Sequence, residues 1–139
     1  MRKLLFFALA LLLSCNNNSS NETDGSEHNG NNTMEAALQC KKVDGQDPYL
    51  PAFEISLELN GKMHLMDTIM GCDLIKQSDF ANYDVPEDAL TACGGWYAGA
   101  GDYFYAVNKN DKCVVYRGWQ DEMQEDEGFH YVVFTEIVF

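Results

Sequence analysis

Hydrophobic and polar positions divide the 139-residue chain into three stretches with different patterns. Leu4 to Leu13 is an unbroken apolar run of ten residues, Asn16 to Thr33 has no apolar residue among its eighteen, and the remainder alternates in short segments. The clearest alternation is Phe53-Glu-Ile-Ser-Leu-Glu-Leu59. Phe53, Ile55, Leu57 and Leu59 fall on one face, and Glu54, Ser56 and Glu58 on the other. A period of two is the signature of a strand with one buried face. Asn60-Gly61 supplies the two positive-φ residues of a type I′ turn, so Lys62 to about Ile69 is expected to return as the partner strand.

Elsewhere the pattern changes. Met34 to Gln39 reads as one helical turn, and Lys41 to Pro51, with Gly45, Pro48 and Pro51, as an irregular lead-in. Ser78 is placed to cap a short turn through Tyr83. Pro86 stands at a first helical position, with Glu87 and Asp88 in the first turn. Ala89, Leu90 and Ala92 continue that helix, and Gly94-Gly95 ends it. From Asp102 the β pattern returns as Tyr103 to Val107, a polar turn at Asn108 to Asp111, Cys113 to Trp119 and, after Gly128, Phe129 to Phe139. The predicted fold class is α+β: a small antiparallel sheet of about five strands, meander-like, with one or two short helices inserted between the first hairpin and the later strands. Residues 34–139 are expected to form a single globular domain stabilised by disulfides.

Arg2 and Lys3 give the apolar run a positively charged start, the layout of a secretory signal. Ten helical residues reach about 15 Å, half of a hydrocarbon core of about 30 Å, so the run is too short to span a membrane. Leu12-Leu13-Ser14-Cys15 resembles the lipobox of bacterial lipoproteins, where small or aliphatic residues precede an obligatory cysteine. The resemblance covers the first fifteen residues. It implies that residues 1–14 are a removed signal peptide and that Cys15 is the lipidated, palmitate-bearing first residue of an envelope protein. In such lipoproteins Asp after the cysteine favours inner-membrane retention; Asn16 departs from that, so the outer membrane is the expected address. Residues 15–33 then comprise the lipidated cysteine and a disordered tether containing seven asparagines. Its r.m.s. reach is roughly 20–25 Å.

Charge and cysteine content narrow the classes. The chain carries 9 basic and 22 acidic residues; loss of Arg2 and Lys3 with the signal leaves seven against 22, a net charge of −15. That balance opposes binding to nucleic acid phosphates and anionic head groups and suits a cationic protein partner, leaving the lipid anchor as the membrane contact. With Cys15 assigned to lipid, Cys40, Cys72, Cys93 and Cys113 form an even set. An oxidising compartment makes two disulfides the default, with Cys72–Cys93 and Cys40–Cys113 preferred among three connectivities. Zinc lacks the usual Cys-x-x-Cys pair.

Two stretches carry candidate binding chemistry. Gly94 to Gly101 holds four glycines with Trp96 and Tyr97, aromatics that either stack on a ligand or partner or roof the sheet. No strand-then-helix context makes these glycines a phosphate cradle. Trp119 to Glu127 contains Asp121, Glu122, Glu125, Asp126 and Glu127, five carboxylates in seven residues. Such a stretch is a solvated loop or a patch that steers a basic protein; it lacks the ligand order of an EF-hand, so no metal is assigned. The methionines of Met63 to Cys72 are read as core filler rather than a Cu(I) site, because Met63 and Met66 fall on opposite faces of a strand. His64 and His130 lie in no metal or nucleophile motif, and Ser56 and Ser78 in no nucleophile elbow. No catalytic residue and no cofactor is therefore assigned.

The expected function is a lipid-anchored, non-enzymatic binding module of the cell envelope that engages a basic protein through Trp96, Tyr97, Trp119 and the neighbouring acids. Bacterial lipoproteins of this size include lysozyme inhibitors, whose targets are strongly basic; the resemblance is one of size, export and charge. The alternatives are a small-ligand or metal-binding lipoprotein using Gly94–Gly101 or the methionine-rich segment, and a small hydrolase with a scattered site. A cleft gathering Asp102 and His130 would favour the hydrolase.

Overall fold

β1 (Ala36–Val43), β2 (Ala52–Leu59) and β3 (Lys62–Ile69) form an antiparallel three-stranded meander with β2 in the centre. This computed structural model describes residues 33–45, 47–124 and 128–138. The apolar run, Cys15, the asparagine-rich stretch and Glu125, Asp126 and Glu127 lie outside the described residues. Among the described residues no helix is long and apolar enough to cross a membrane.

The Asn60-Gly61 hairpin forms as its sequence predicts. Both turn residues have positive φ, 48° and 78°, and Leu59 pairs with Lys62. Ile55, Leu57 and Leu59 are buried on the inner face, while Glu54 and Glu58 remain half-buried on the other. The pairing slips once, between Ile55↔Asp67 and Ser56↔Leu65, leaving Met66 as an extra residue in β3. Such a bulge reverses the facing of the strand beyond it. Met63 and Leu65 therefore look outward and are exposed, whereas Met66 and Ile69 pack into the core. Asp67 moves to the inner face with Ile69.

A second meander follows, in the order β4 (Asp73–Ile75), β5 (Thr91–Tyr97), β6 (Ala100–Lys109), β7 (Lys112–Asp121), β8 (His130–Val138). Its two central strands bury nearly every residue of their middles because both faces of this sheet are covered. On one face Cys93, Phe104, Ala106, Cys113 and Val115 meet Leu38, Ile55 and Leu57 of the first sheet, with β1 packed across β4, β5 and β6. On the other, Ala92, Tyr105, Val107 and Val114 meet Phe80, Val85 and Ala89 of the connection between β4 and β5.

The predicted α+β class is overturned: the described residues make two antiparallel sheets with eight strands, and their one helical element is a seven-residue 3₁₀ helix, Gln77–Tyr83. Met34 to Gln39 is no helical turn. Its last residues open β1, where Leu38 is buried on the inner face and pairs with Leu57. Pro86 starts no α-helix. Ala89 N–H closes a single turn on the Pro86 carbonyl, and Leu90 N–H then bonds the Ala106 carbonyl at 2.8 Å, which begins the β5 ladder. Four residues between a proline and a sheet edge are too few to offset helix nucleation. Ser78 makes no capping bond to the 3₁₀ helix; Lys76 occupies the cap position.

The expected cysteine pairing is also corrected. Cys40 of β1 is bonded to Cys72, just before β4, with a Cα–Cα distance of 5.8 Å. Cys93 and Cys113 are free thiols in the core. Register accounts for the failure of Cys40–Cys113: Cys113 pairs with Asn108 at the far end of β7, four positions from Arg117, which faces Phe104 beside Cys93.

Candidate functional site

The aromatic and acidic stretches picked out in the sequence converge on one end of the second sheet. β5 and β6 are joined by Ala98 and Gly99, at φ 50° and 89°, so Trp96 pairs with Gly101 and Tyr97 with Ala100. The end of β7 lies alongside, with Asp102 opposite Trp119 and Ala100 opposite Asp121. Glu122 then folds over the hairpin tip: its N–H donates to the Gly99 carbonyl at 2.9 Å. A side chain at Gly99 would collide with the Glu122 carboxylate, 2.6 Å from the Cβ position. Glycine is favoured there by its backbone angle, since the exposed Glu122 side chain can swing clear of an added methyl group.

Strand pleating divides the candidate residues between the two faces. Trp119 shares the inter-sheet face with Asp102, whereas Trp96, one position along in register, projects from the opposite face. Both rings are open to solvent, 45% exposed for Trp96 and 42% for Trp119. Trp96 borders a cleft of about 270 Å³ with Asp73, Lys76, Asp79 and Tyr83. Tyr97 is half-buried, Asp121 half-buried, and Glu122 exposed. Glu125, Asp126 and Glu127 belong to the candidate patch but lie outside the described residues.

Around Trp119 the structure adds His130, considered in the sequence only as a catalytic candidate, and two residues that sequence reasoning passed over, Val132 and Phe134. His130 pairs with Trp119 across the β7–β8 ladder, their rings 5.8 Å apart. Val132 and Phe134 extend this surface along β8, both exposed, with Phe134 edge-on to buried Phe104. The signal for this surface is present in the chain: Tyr131-Val-Val-Phe134 is apolar at successive positions, which leaves apolar groups on both faces of an edge strand.

Arg117 closes the inner side of this surface. Its Nη1 donates to Asp67 Oδ2 of β3 at 2.6 Å, and Nη2 and Nε donate to Asp102 Oδ1 of β6 at 3.0 and 3.2 Å. The guanidinium also lies over the Phe104 ring, 5.6 Å from its centre. One cation thus ties both sheets together, and it does so only because the Met66 bulge turns Asp67 inward. Each of the three charged side chains is about one-third exposed, so the pairs act mainly as a positioning device.

Among the described residues no cleft gathers Asp102 with His130. Asp102 and His130 flank Trp119 from opposite sides, separated by strand β7, and Asp102 is committed to Arg117. The clefts of about 270 to 640 Å³ open elsewhere, along the β4–β5 connection, beside Met34 and around Pro48. His64 stands on β3 opposite Leu57. Among the described residues the one grouping with metal-ligand character is Cys40, Cys72 and Cys93, in which two sulfurs are already bonded to each other. No protein family, curated protein or solved structure matches this chain.

Proposed function

We propose that the chain is a lipid-tethered, non-enzymatic binding module of the cell envelope, whose acidic and aromatic sheet end engages a basic protein. The observation that carries this reading is the meeting of the Trp96–Gly101 hairpin with the Trp119–Glu122 segment, which sets exposed tryptophans beside carboxylates in a chain of net charge −13. Exposed Trp rimmed by charge is the composition of a protein-binding hot spot, with the aromatic supplying contact area and the acids the approach rate. The anchor and outer-membrane address rest on the lipobox-like Leu12-Leu13-Ser14-Cys15 and the polar tether behind it.

The test uses lysozyme as a strongly basic probe and a neutral protein of equal size as control. The expected result is saturable binding to the cationic probe whose association rate falls at least tenfold between about 20 and 300 mM salt. Trp119→Ala together with Glu122→Gln should weaken it further. Equal binding of both probes, or loss-free binding by the double variant, would remove this reading. The anchor is tested separately: palmitate-analogue labelling of the full precursor in a lipoprotein-processing host should mark the protein, and Cys15→Ser should abolish the mark.

A small-ligand reading keeps one supporting feature, the Trp96 cleft with Asp73, Asp79 and Tyr83. At about 270 Å³ it falls just below the usual range for ligand pockets of about 300–1,000 Å³.

A further inference from the structure

Three sulfurs from three separate segments meet in the core between the sheets. Cys40 comes from the inner face of β1, Cys72 from the approach to β4, and Cys93 from β5; their Sγ atoms all lie within 4.8 Å of one another. Two of them are bonded as Cys40–Cys72, and the third is a free thiol with no solvent exposure. A thiol within 4.8 Å of a disulfide is within reach of exchange, in which its thiolate attacks one sulfur in line with the bond that breaks.

We propose that Cys40, Cys72 and Cys93 form a three-sulfur exchange site in which the disulfide passes from Cys40–Cys72 to Cys72–Cys93 and releases the Cys40 thiol. Cys93 gives up its proton, and its thiolate attacks Cys72 Sγ. The Cys72–Cys93 bond forms as the Cys40–Cys72 bond breaks, and the expelled Cys40 thiolate takes up a proton. One disulfide and one thiol are present before and after, so no external oxidant or reductant enters.

Register and burial set the direction. Asp73 pairs with Gly94 and Leu74 with Cys93, so Cys72 stands diagonally across from Cys93 on the same face of one sheet, a span the new bond can bridge locally. Cys40 is the only half-buried member of the three, while Cys72 and Cys93 are buried. A leaving thiolate that reaches solvent departs more readily than one held in the core. The product differs from the starting state in two ways. The covalent tie between the sheets is replaced by one within the second sheet, and a reactive thiol appears at the rim of β1, open to small thiols, disulfides and alkylating agents.

Exchange is held back by the attacking group. Burial pushes the Cys93 thiol from 9.0 up to about 12, so its thiolate is a minor species at neutral pH. Cys40 and Cys72, bonded to each other, bring no titratable group to it; Leu38, Ile55 and Phe104 fill the surrounding core. Tyr131, on the other face of the sheet, also senses its charge. The rate of exchange should therefore rise tenfold for each pH unit below about 12, where thiolate increases in that proportion.

The experiment incubates the folded, oxidised protein at pH 7, 8 and 9, quenches in acid, alkylates free thiols and maps the pairings by mass spectrometry. The expected result is conversion of Cys40–Cys72 to Cys72–Cys93 with alkylated Cys40, tenfold faster per pH unit, and with Cys113 unpaired throughout. Cys113 is a built-in control, because it is free and buried but outside the three-sulfur group. Pairing of Cys113 at a comparable rate would mean scrambling through unfolding and would overturn the proposal. So would Cys40–Cys72 persisting alone at every pH, or Cys40–Cys93 forming with Cys72 released. As a second arm, Cys40→Ser treated with oxidised glutathione should form Cys72–Cys93; retention of both thiols there would also overturn it.

Discussion

A methyl group placed on Gly95 would sit 2.7 Å from the carbonyl carbon of Gly71 and 2.9 Å from the nitrogen of Cys72. Both neighbours are backbone, so neither can rotate out of the way. Gly95→Ala should therefore destabilise the domain by about 1–3 kcal/mol, the usual cost of forcing extra volume into a packed site. A shift of the urea midpoint at constant m-value is the measurement; an unchanged midpoint would mean that β4 can move away from β5. Gly118 performs a related service on β7, where the Tyr131 ring lies over the space a side chain would fill, 2.5 Å from the Cβ position. Phe104 is the counterpart at the other extreme of size. It is fully buried between the sheets and meets Phe134 edge-on at 5.6 Å. Phe104→Ala should cost about 3–5 kcal/mol, seen as a large fall in the same midpoint.

At the scale of elements, the Met66 bulge decides how the two sheets are held in register. Without it Asp67 would face solvent and Arg117 would meet Asp102 alone. The Arg117–Asp67 coupling should measure about 0.5–1 kcal/mol in a double-mutant cycle of Arg117→Met and Asp67→Asn, and should shrink in high salt. A coupling of zero would make the clasp ornamental. The bulge also shows where sequence reasoning ends. The β2–β3 hairpin was legible because alternation and Asn60-Gly61 are local signals, and β6, β7 and β8 were legible for the same reason. β1 and β5 were not. Glu35-Ala-Ala-Leu-Gln39 and Ala89-Leu90 favour helix locally, yet Leu38 pairs with Leu57 and Ala92 with Tyr105. Long-range ladder bonds outweigh helix preferences of a few tenths of a kcal/mol per residue. The candidate site was half legible: Trp96, Trp119, Asp121 and Glu122 were visible as unusual residues, but their meeting depends on the Ala98-Gly99 turn and the β6–β7 register. Val132, Phe134 and Arg117 were missed because their exposure or pairing follows from a strand's place in the sheet.

The molecule as a whole carries a second polar device, on the face of the five-stranded sheet away from β1. Tyr103, Tyr105 and Tyr131 pack with Tyr83, Tyr116 and Phe129 in a continuous run of rings, and the Tyr131 hydroxyl donates to the Tyr83 carbonyl at 2.8 Å. Burial raises the pKa of Tyr103, Tyr105 and Tyr131, and neighbouring tyrosines and Asp84, Asp88 and Asp102 push the same way. The buried thiols of Cys93 and Cys113 are raised by burial as well. Each of these groups is neutral when protonated, and folding disfavours its charged form. The native state therefore holds protons that the unfolded chain releases, first from thiols near 9.0 and then from tyrosines near 10.0. Their stabilising contribution is complete below about pH 9 and declines as pH rises through the unfolded values towards the raised native ones. The urea midpoint should accordingly be flat from pH 7 to 9 and fall steeply beyond pH 10, with the share of tyrosinate absorbance due to Tyr103, Tyr105 and Tyr131 appearing at the unfolding transition rather than ahead of it. Tyr131→Phe removes the most strongly shifted of the three tyrosines, so its midpoint, lower at pH 7 through loss of the Tyr83 bond, should fall less between pH 9 and 11 than that of the parent. A midpoint that stays level through pH 11 would show that these hydroxyls reach water in the folded protein, and that this face of the sheet is open rather than roofed by the β4–β5 connection.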